Sequence, residues 1–189
     1  MGSFDSNDLR KGKKILVDGQ PYTVLEAQFV KPGKGAAFIR TKMKNLLTGG
    51  NIERNIRSGE KIDEADVEDR QMSYLYKEGE DYVFMDQASY EQTTIAKDTM
   101  GDQWKWLKDN MACQVTFYNN RPIELTLPNF VQLKIVASEP GARGDTSGNV
   151  TKPATLETGA VIGVPLFVNE GEVVRIDTRT GEYLERVKG

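Results

Sequence analysis

The sequence predicts an all-β protein of three small β-barrel or sandwich pieces in series, and three observations carry that expectation. Short runs rich in Val, Ile, Thr, Tyr and Phe alternate with turn signals every 8–12 residues or so. Only one segment has helical spacing. Two interruptions of the strand pattern divide the 189 residues into near-equal parts.

The elements follow in order. Residues 14–30 read as a hairpin around Asp18-Gly19, and residues 73–86 as a second around Glu78-Gly79. Residues 102–110, with Trp104, Leu107 and Met111 at helical spacing, read as a helix with a core-facing stripe. Residues 113–127 turn at Asn119-Asn120, and residues 173–187 turn at Thr180-Gly181. The charged stretch 59–69 reads as a solvated linker, and Leu127-Pro128-Asn129 ends a strand pattern. The expected domains are 1–65, 66–128 and 129–189. Pieces of this size bury only about 60% of their unfolded surface, so neighbours are expected to share interfaces.

Composition removes whole classes of chemistry. With 38% hydrophobic residues and 18 glycines, the chain has the make-up of a folded globular protein. It contains no histidine, which excludes Ser-His-Asp and Cys-His nucleophile systems and every His-containing zinc site. Cys113 is the single cysteine and closes no intramolecular disulfide. Its place in a strand pattern makes it a small buried hydrophobe. An enzyme using carboxylates and a metal is a further reading that rests on the acids Asp63, Glu64, Asp66, Glu68 and Asp69, but this run resembles a solvated linker and no second cluster at ligand spacing accompanies it, so no metal site is expected. The first twenty residues lack an apolar leader, and no run of eighteen apolar residues occurs. The expectation is a cytoplasmic protein with no membrane partner.

The net charge of −3 is unevenly spread. Residues 1–65 carry 12 basic and 8 acidic side chains, 66–128 carry 6 and 12, and 129–189 carry 7 and 8. Within residues 27–52, Lys31, Lys34, Arg40, Lys42 and Lys44 occur with no acid. Two readings stand: a solvated face, or one end of the molecule suited to approach phosphates.

Two segments hold the most information. In Lys31-Pro32-Gly33-Lys34-Gly35, Pro32 fixes φ and two glycines bracket a lysine between strand-like flanks. It is neither a Walker A loop, which needs Gly-x4-Gly-Lys-Ser/Thr before a helix, nor a dinucleotide-binding turn. It reads as an ordinary hairpin tip or as a tip that presents one cation. Residues 140–149 form a polar, glycine-rich loop containing Gly144, Asp145 and Thr146, either functional or a plain surface excursion. Arg143-Gly144-Asp145 and Asn149-Val150-Thr151 match adhesion and glycosylation signals, which need an extracellular setting that nothing else in the chain supports.

These two segments, followed by residues 152–167 (KPATLETGAVIGVPLF) and 176–183 (IDTRTGEY), resemble bacterial translation elongation factor P from about Ser6 to Val187. Lys34 and the Gly-Asp-Thr triplet separate the chain from a close paralogous family, which has arginine at the tip and lacks the triplet. The resemblance implies an SH3-like, KOW-type barrel followed by two OB-fold barrels in an elongated, tRNA-like arrangement. It implies a ribosome-binding factor and not an enzyme, one that sits between the peptidyl and exit sites and relieves stalling at consecutive prolines. Lys34, extended by a covalent modification such as β-lysylation from a dedicated enzyme, would position the acceptor end of the peptidyl-tRNA, prolyl-tRNA especially. Lys31, Pro32, Gly33 and Gly35 would shape the tip. Arg40, Lys42 and Lys44 would track RNA backbone. Gly144, Asp145 and Thr146 would contact messenger RNA in the exit site. A monomer without a dissociable cofactor is expected. The other reading is a generic OB-fold RNA-binding protein that stacks bases on Tyr74, Tyr76, Tyr82, Phe84, Phe117 and Tyr118.

Overall fold

A computed structural model describes residues 2–140 and 150–188. Its secondary structure is almost entirely β, and the chain divides into two compact units: Met1–Asp69 with Thr116–Glu124, and Arg70–Val115 with Leu125–Gly189.

In the first unit, β1 (Ser3–Asp5) pairs with β6 (Lys61–Asp63). A four-stranded antiparallel sheet runs in the order β2 (Lys14–Val17), β3 (Gln20–Val30), β4 (Phe38–Asn45), β5 (Asn51–Arg57). Asp18 and Gly19, both at positive φ (51° and 76°), close the first hairpin in the two-residue turn that suits strand twist. Ile39, Thr41, Met43 and Asn45 of β4 are buried, while Arg40, Lys42 and Lys44 alternate outward. Ile15, Val24, Met43 and Ile62 centre the core, with Phe4, Tyr22, Ile52 and Ile56 against them. A register shift between Val24 and Glu26 lies where β3 leaves the core: Pro21, Thr23 and Val24 before it are buried, while Leu25 and Phe29 are exposed. Residues 59–69 are not a plain linker. Ile62 and Ala65 are buried, the 61–63 strand pairs with β1, and Asp69 accepts a hydrogen bond from Thr116.

The other strands form two five-stranded sheets. One has the order β11-β10-β7-β8-β9, with β7 Val67–Glu78, β8 Asp81–Asp86, β9 Gln92–Ala96, β10 Ala112–Tyr118 and β11 Arg121–Thr126. The other has the order β14-β13-β12-β15-β16, with β12 Phe130–Ser138, β13 Thr151–Leu156, β14 Val161–Pro165, β15 Val173–Asp177 and β16 Glu182–Arg186. The Asn119-Asn120 turn is as expected, with φ of 49° and 60°. The β7–β8 turn lies one residue later than expected. Glu78 pairs with Asp81, so Gly79 and Glu80 make the turn, and the positive φ falls on Gly79.

The helix expected over 102–110 is not there. A single α-turn, α1 (Lys97–Met100), leads through Gly101 at φ 59° into a 3₁₀ stretch, Gly101–Trp106. Leu107 is already extended. The segment buries Met100, Trp106 and Leu107, while Trp104 and Met111 are only partly covered. The i, i+3 spacing of Trp104 and Leu107 fits a 3₁₀ turn as well as an α-helix, and Gly101 and Asn110, both at positive φ, keep the segment short.

Candidate functional site

The 31–37 loop joins β3 to β4, two of the longest strands of the first unit, and the Val30–Phe38 pair closes its base. The Ser58 amide donates to the Ala37 carbonyl at 3.0 Å, which ties the returning arm of the loop to the chain after β5. Pro32 is half-buried and Gly35 sits at φ 103°, a backbone state that L side chains rarely adopt. Between them Lys34 is exposed and makes no hydrogen bond or ion pair with any described residue. Lys31 is exposed and free as well. The tip is therefore a constrained loop that presents an exposed ammonium group on a long stem.

The three cations of β4 are not equivalent. Strand pairing puts Glu26 of β3 and Glu53 of β5 on either side of Lys42. Lys42 Nζ lies 3.1 Å from Glu26 and 3.7 Å from Glu53, and the Glu26 hydrogen bond holds its pKa above the ordinary lysine value. The stretch that is free of acids in sequence is thus not free of them in space. Arg40 lies between Gln28 and Asn55, and Lys44 between Thr23 and Asn51, so these two keep uncompensated charge on the outward face. Phe29 belongs to the site's surroundings but escaped the sequence reading. It pairs with buried Ile39 yet is 57% exposed, because the core ends before the strand does. Its position next to the basic tip was the only signal.

Gly144, Asp145 and Thr146 lie outside the described residues. Further along the chain, Lys152 of β13 is buried and its Nζ donates at 2.8 Å to the carbonyl of Glu139, the residue after β12. The stacking residues expected in the middle of the chain are mostly taken up by the core, with Tyr76, 48% exposed, and half-buried Tyr118 the two that stay accessible. Tyr74, Tyr82, Phe84 and Phe117 are buried, and Tyr74 packs at 5.9 Å from Tyr82 and 5.5 Å from Phe84. Cys113 is also buried, as expected. Its thiol donates to the Met72 carbonyl at 3.6 Å, and burial pushes its pKa up to about 12. Among the described residues no group of three or more metal-ligating side chains converges.

Three family models match in sequence order. The elongation factor P KOW-like domain covers residues 5–62, the elongation factor P OB domain 67–125, and the elongation factor P C-terminal model 131–186. The chain belongs to the elongation factor P family. Elongation factor P of Desulforapulum autotrophicum is 53% identical over 184 residues, covering 97% of this chain and 98% of the relative. Elongation factor P of Pectobacterium atrosepticum is 50% identical over 188 residues and covers both chains fully. The structure of eukaryotic translation initiation factor 5A from Methanococcus jannaschii aligns with a TM-score of 0.56 and 18% identity, over 67% of this chain and 92% of that one. That likeness is one of fold. Membership of the elongation factor P family makes this chain a translation elongation factor with a KOW-like first domain and an OB second domain.

Proposed function

We propose that this factor binds the ribosome between the peptidyl and exit sites, beside the peptidyl-tRNA, and speeds peptide-bond formation where consecutive prolines stall it. The observation that carries the reading is Lys34, a cation with no partner among the described residues on a loop that leads into β4, whose exposed side chains include Arg40 and Lys44. Proline's ring removes the backbone N–H and fixes φ, so a chain ending in proline sits badly for transfer. Lys34 holds the acceptor end of the tRNA in a productive geometry, contacting phosphate and ribose as a point charge. The gain comes from positioning, and the bond chemistry remains the ribosome's. A modifying enzyme lengthens Lys34, β-lysylation being one such extension, and so extends the reach of the cation. Lys31, Pro32, Gly33 and Gly35 keep the tip slim, and Gly144, Asp145 and Thr146 read messenger RNA in the exit site. The protein works in the cytoplasm as a monomer.

The test is a reconstituted translation system without any such factor, programmed with a triple-proline reporter and a proline-free control. Wild-type protein from its own cells relieves the stall, and Lys34→Ala leaves it in place. Equal output from the two proteins on the proline reporter rules out the role given to Lys34.

A further inference from the structure

The outward face of β12 and β15 carries a cluster that the tip reading leaves unused. Val131, Leu133 and Ile135 are buried, so the alternating Phe130, Gln132 and Lys134 point outward. Across the ladder Phe130 pairs with Asp177 and Gln132 with Arg175. The Arg175 guanidinium lies 4.5 Å from the Phe130 ring centroid and that of Arg179 lies 5.4 Å from it. Both are held in place. Arg179 donates from Nε and Nη2 to the two Asp177 carboxylate oxygens at 3.0 and 2.8 Å, and Arg175 donates from Nη1 to Glu185 Oε1 at 3.1 Å. Phe130 nevertheless stays 41% exposed.

We propose that Phe130, flanked by Arg175 and Arg179, is a stacking platform for one unpaired RNA base presented by the ribosome. Three features select that occupant. Flat aromatic and guanidinium faces are what single-stranded bases stack on. Each guanidinium is already neutralised by its own carboxylate, so the patch offers an acidic peptide no free charge, and an apolar partner would have to desolvate two ion pairs. The two-point contact with Asp177 sets the plane of the Arg179 guanidinium in advance, so less of its side-chain freedom is lost when a base arrives. One stacked base changes affinity by about five- to 150-fold. The platform therefore binds a free oligonucleotide weakly, in the range that NMR titration detects, and adds to a complex anchored elsewhere. It does not depend on the role given to Lys34.

Two measurements on the full-length protein test it. In the first, hexaadenylate is titrated into protein carrying labelled phenylalanine and arginine side chains, and the spectra are followed by NMR. The Phe130, Arg175 and Arg179 signals shift together, equally in wild type and in Lys34→Ala. Phe130→Leu, which keeps the bulk without the ring, weakens binding at this site at least about fivefold, while Phe130→Tyr stays within about twofold of wild type. Silent Phe130 signals, or Phe130→Leu binding like wild type, overturn the proposal. In the second, a photoreactive side chain at Gln132 is cross-linked in the ribosome complex. Attachment to RNA supports the proposal, and attachment to protein alone overturns it.

Discussion

Lys34 is available because no described residue pairs with it, whereas Lys42, on the same β-hairpin, is held by Glu26 and Glu53. That difference is measurable in the salt dependence of ribosome binding. Replacing Arg40 or Lys44 with Ala should each lower the slope of log K against log salt by about one, the loss of a single phosphate contact. Lys42→Ala should change the slope much less, because its charge is already matched. An equal effect from all three would mean that the pairs with Glu26 and Glu53 open on binding. Cys113 gives a second residue-scale expectation. Its folded pKa of about 12 exceeds the ordinary 9.0, so the folded chain keeps a proton that the unfolded chain loses. This group costs no stability below pH 9 and destabilises the fold progressively as pH rises from about 9 towards about 12. Native protein at pH 8 should resist a thiol-specific reagent and react fully once unfolded; rapid native labelling would contradict the burial.

At the scale of elements, the two tip glycines should behave differently. Gly35 needs its positive φ, while Gly33 has no such requirement and open space around it. Gly35→Ala should therefore impair stall relief by redirecting Lys34 and cost about 1–2 kcal/mol by denaturant unfolding, and Gly33→Ala should be tolerated in both assays. In the β15–β16 turn, a Cβ on Gly181 would lie 3.2 Å from Trp106 Cζ2, at φ 76°. Gly181→Ala should cost about 1–3 kcal/mol by denaturant unfolding, and Trp106→Phe should recover only the steric part. Elements were legible from the sequence where local chemistry decides the backbone. Asp18-Gly19 and Asn119-Asn120 tolerate positive φ, and their hairpins turn there. Reading failed where distant partners decide. The Trp104–Leu107 spacing suited two helical geometries, residues 59–69 found a partner in β1, and Glu26 and Glu53 reached Lys42 only through strand pairing.

For the whole molecule, an overall charge of −3 conceals a first third rich in lysine and arginine, the asymmetry behind the proposal that this end meets RNA. The KOW-like, OB and C-terminal family matches follow one another along the chain in the order that the motifs suggested. The candidate site was legible as a motif, Lys-Pro-Gly-Lys-Gly, because a turn needing proline and glycine around one lysine leaves a local signature. Its electrostatic surroundings, and the Phe130 cluster assembled from β12, β15 and the turn beyond, have no such signature. The central claim is that Lys34 accelerates transfer by positioning a poor donor. The most direct test is the single-turnover rate of one peptide bond on ribosomes carrying prolyl or phenylalanyl peptidyl-tRNA, with wild-type factor, Lys34→Ala or none. The account predicts a large acceleration for proline, little for phenylalanine, and loss of the proline acceleration in Lys34→Ala. The same acceleration for both donors, or full acceleration by Lys34→Ala, would contradict it.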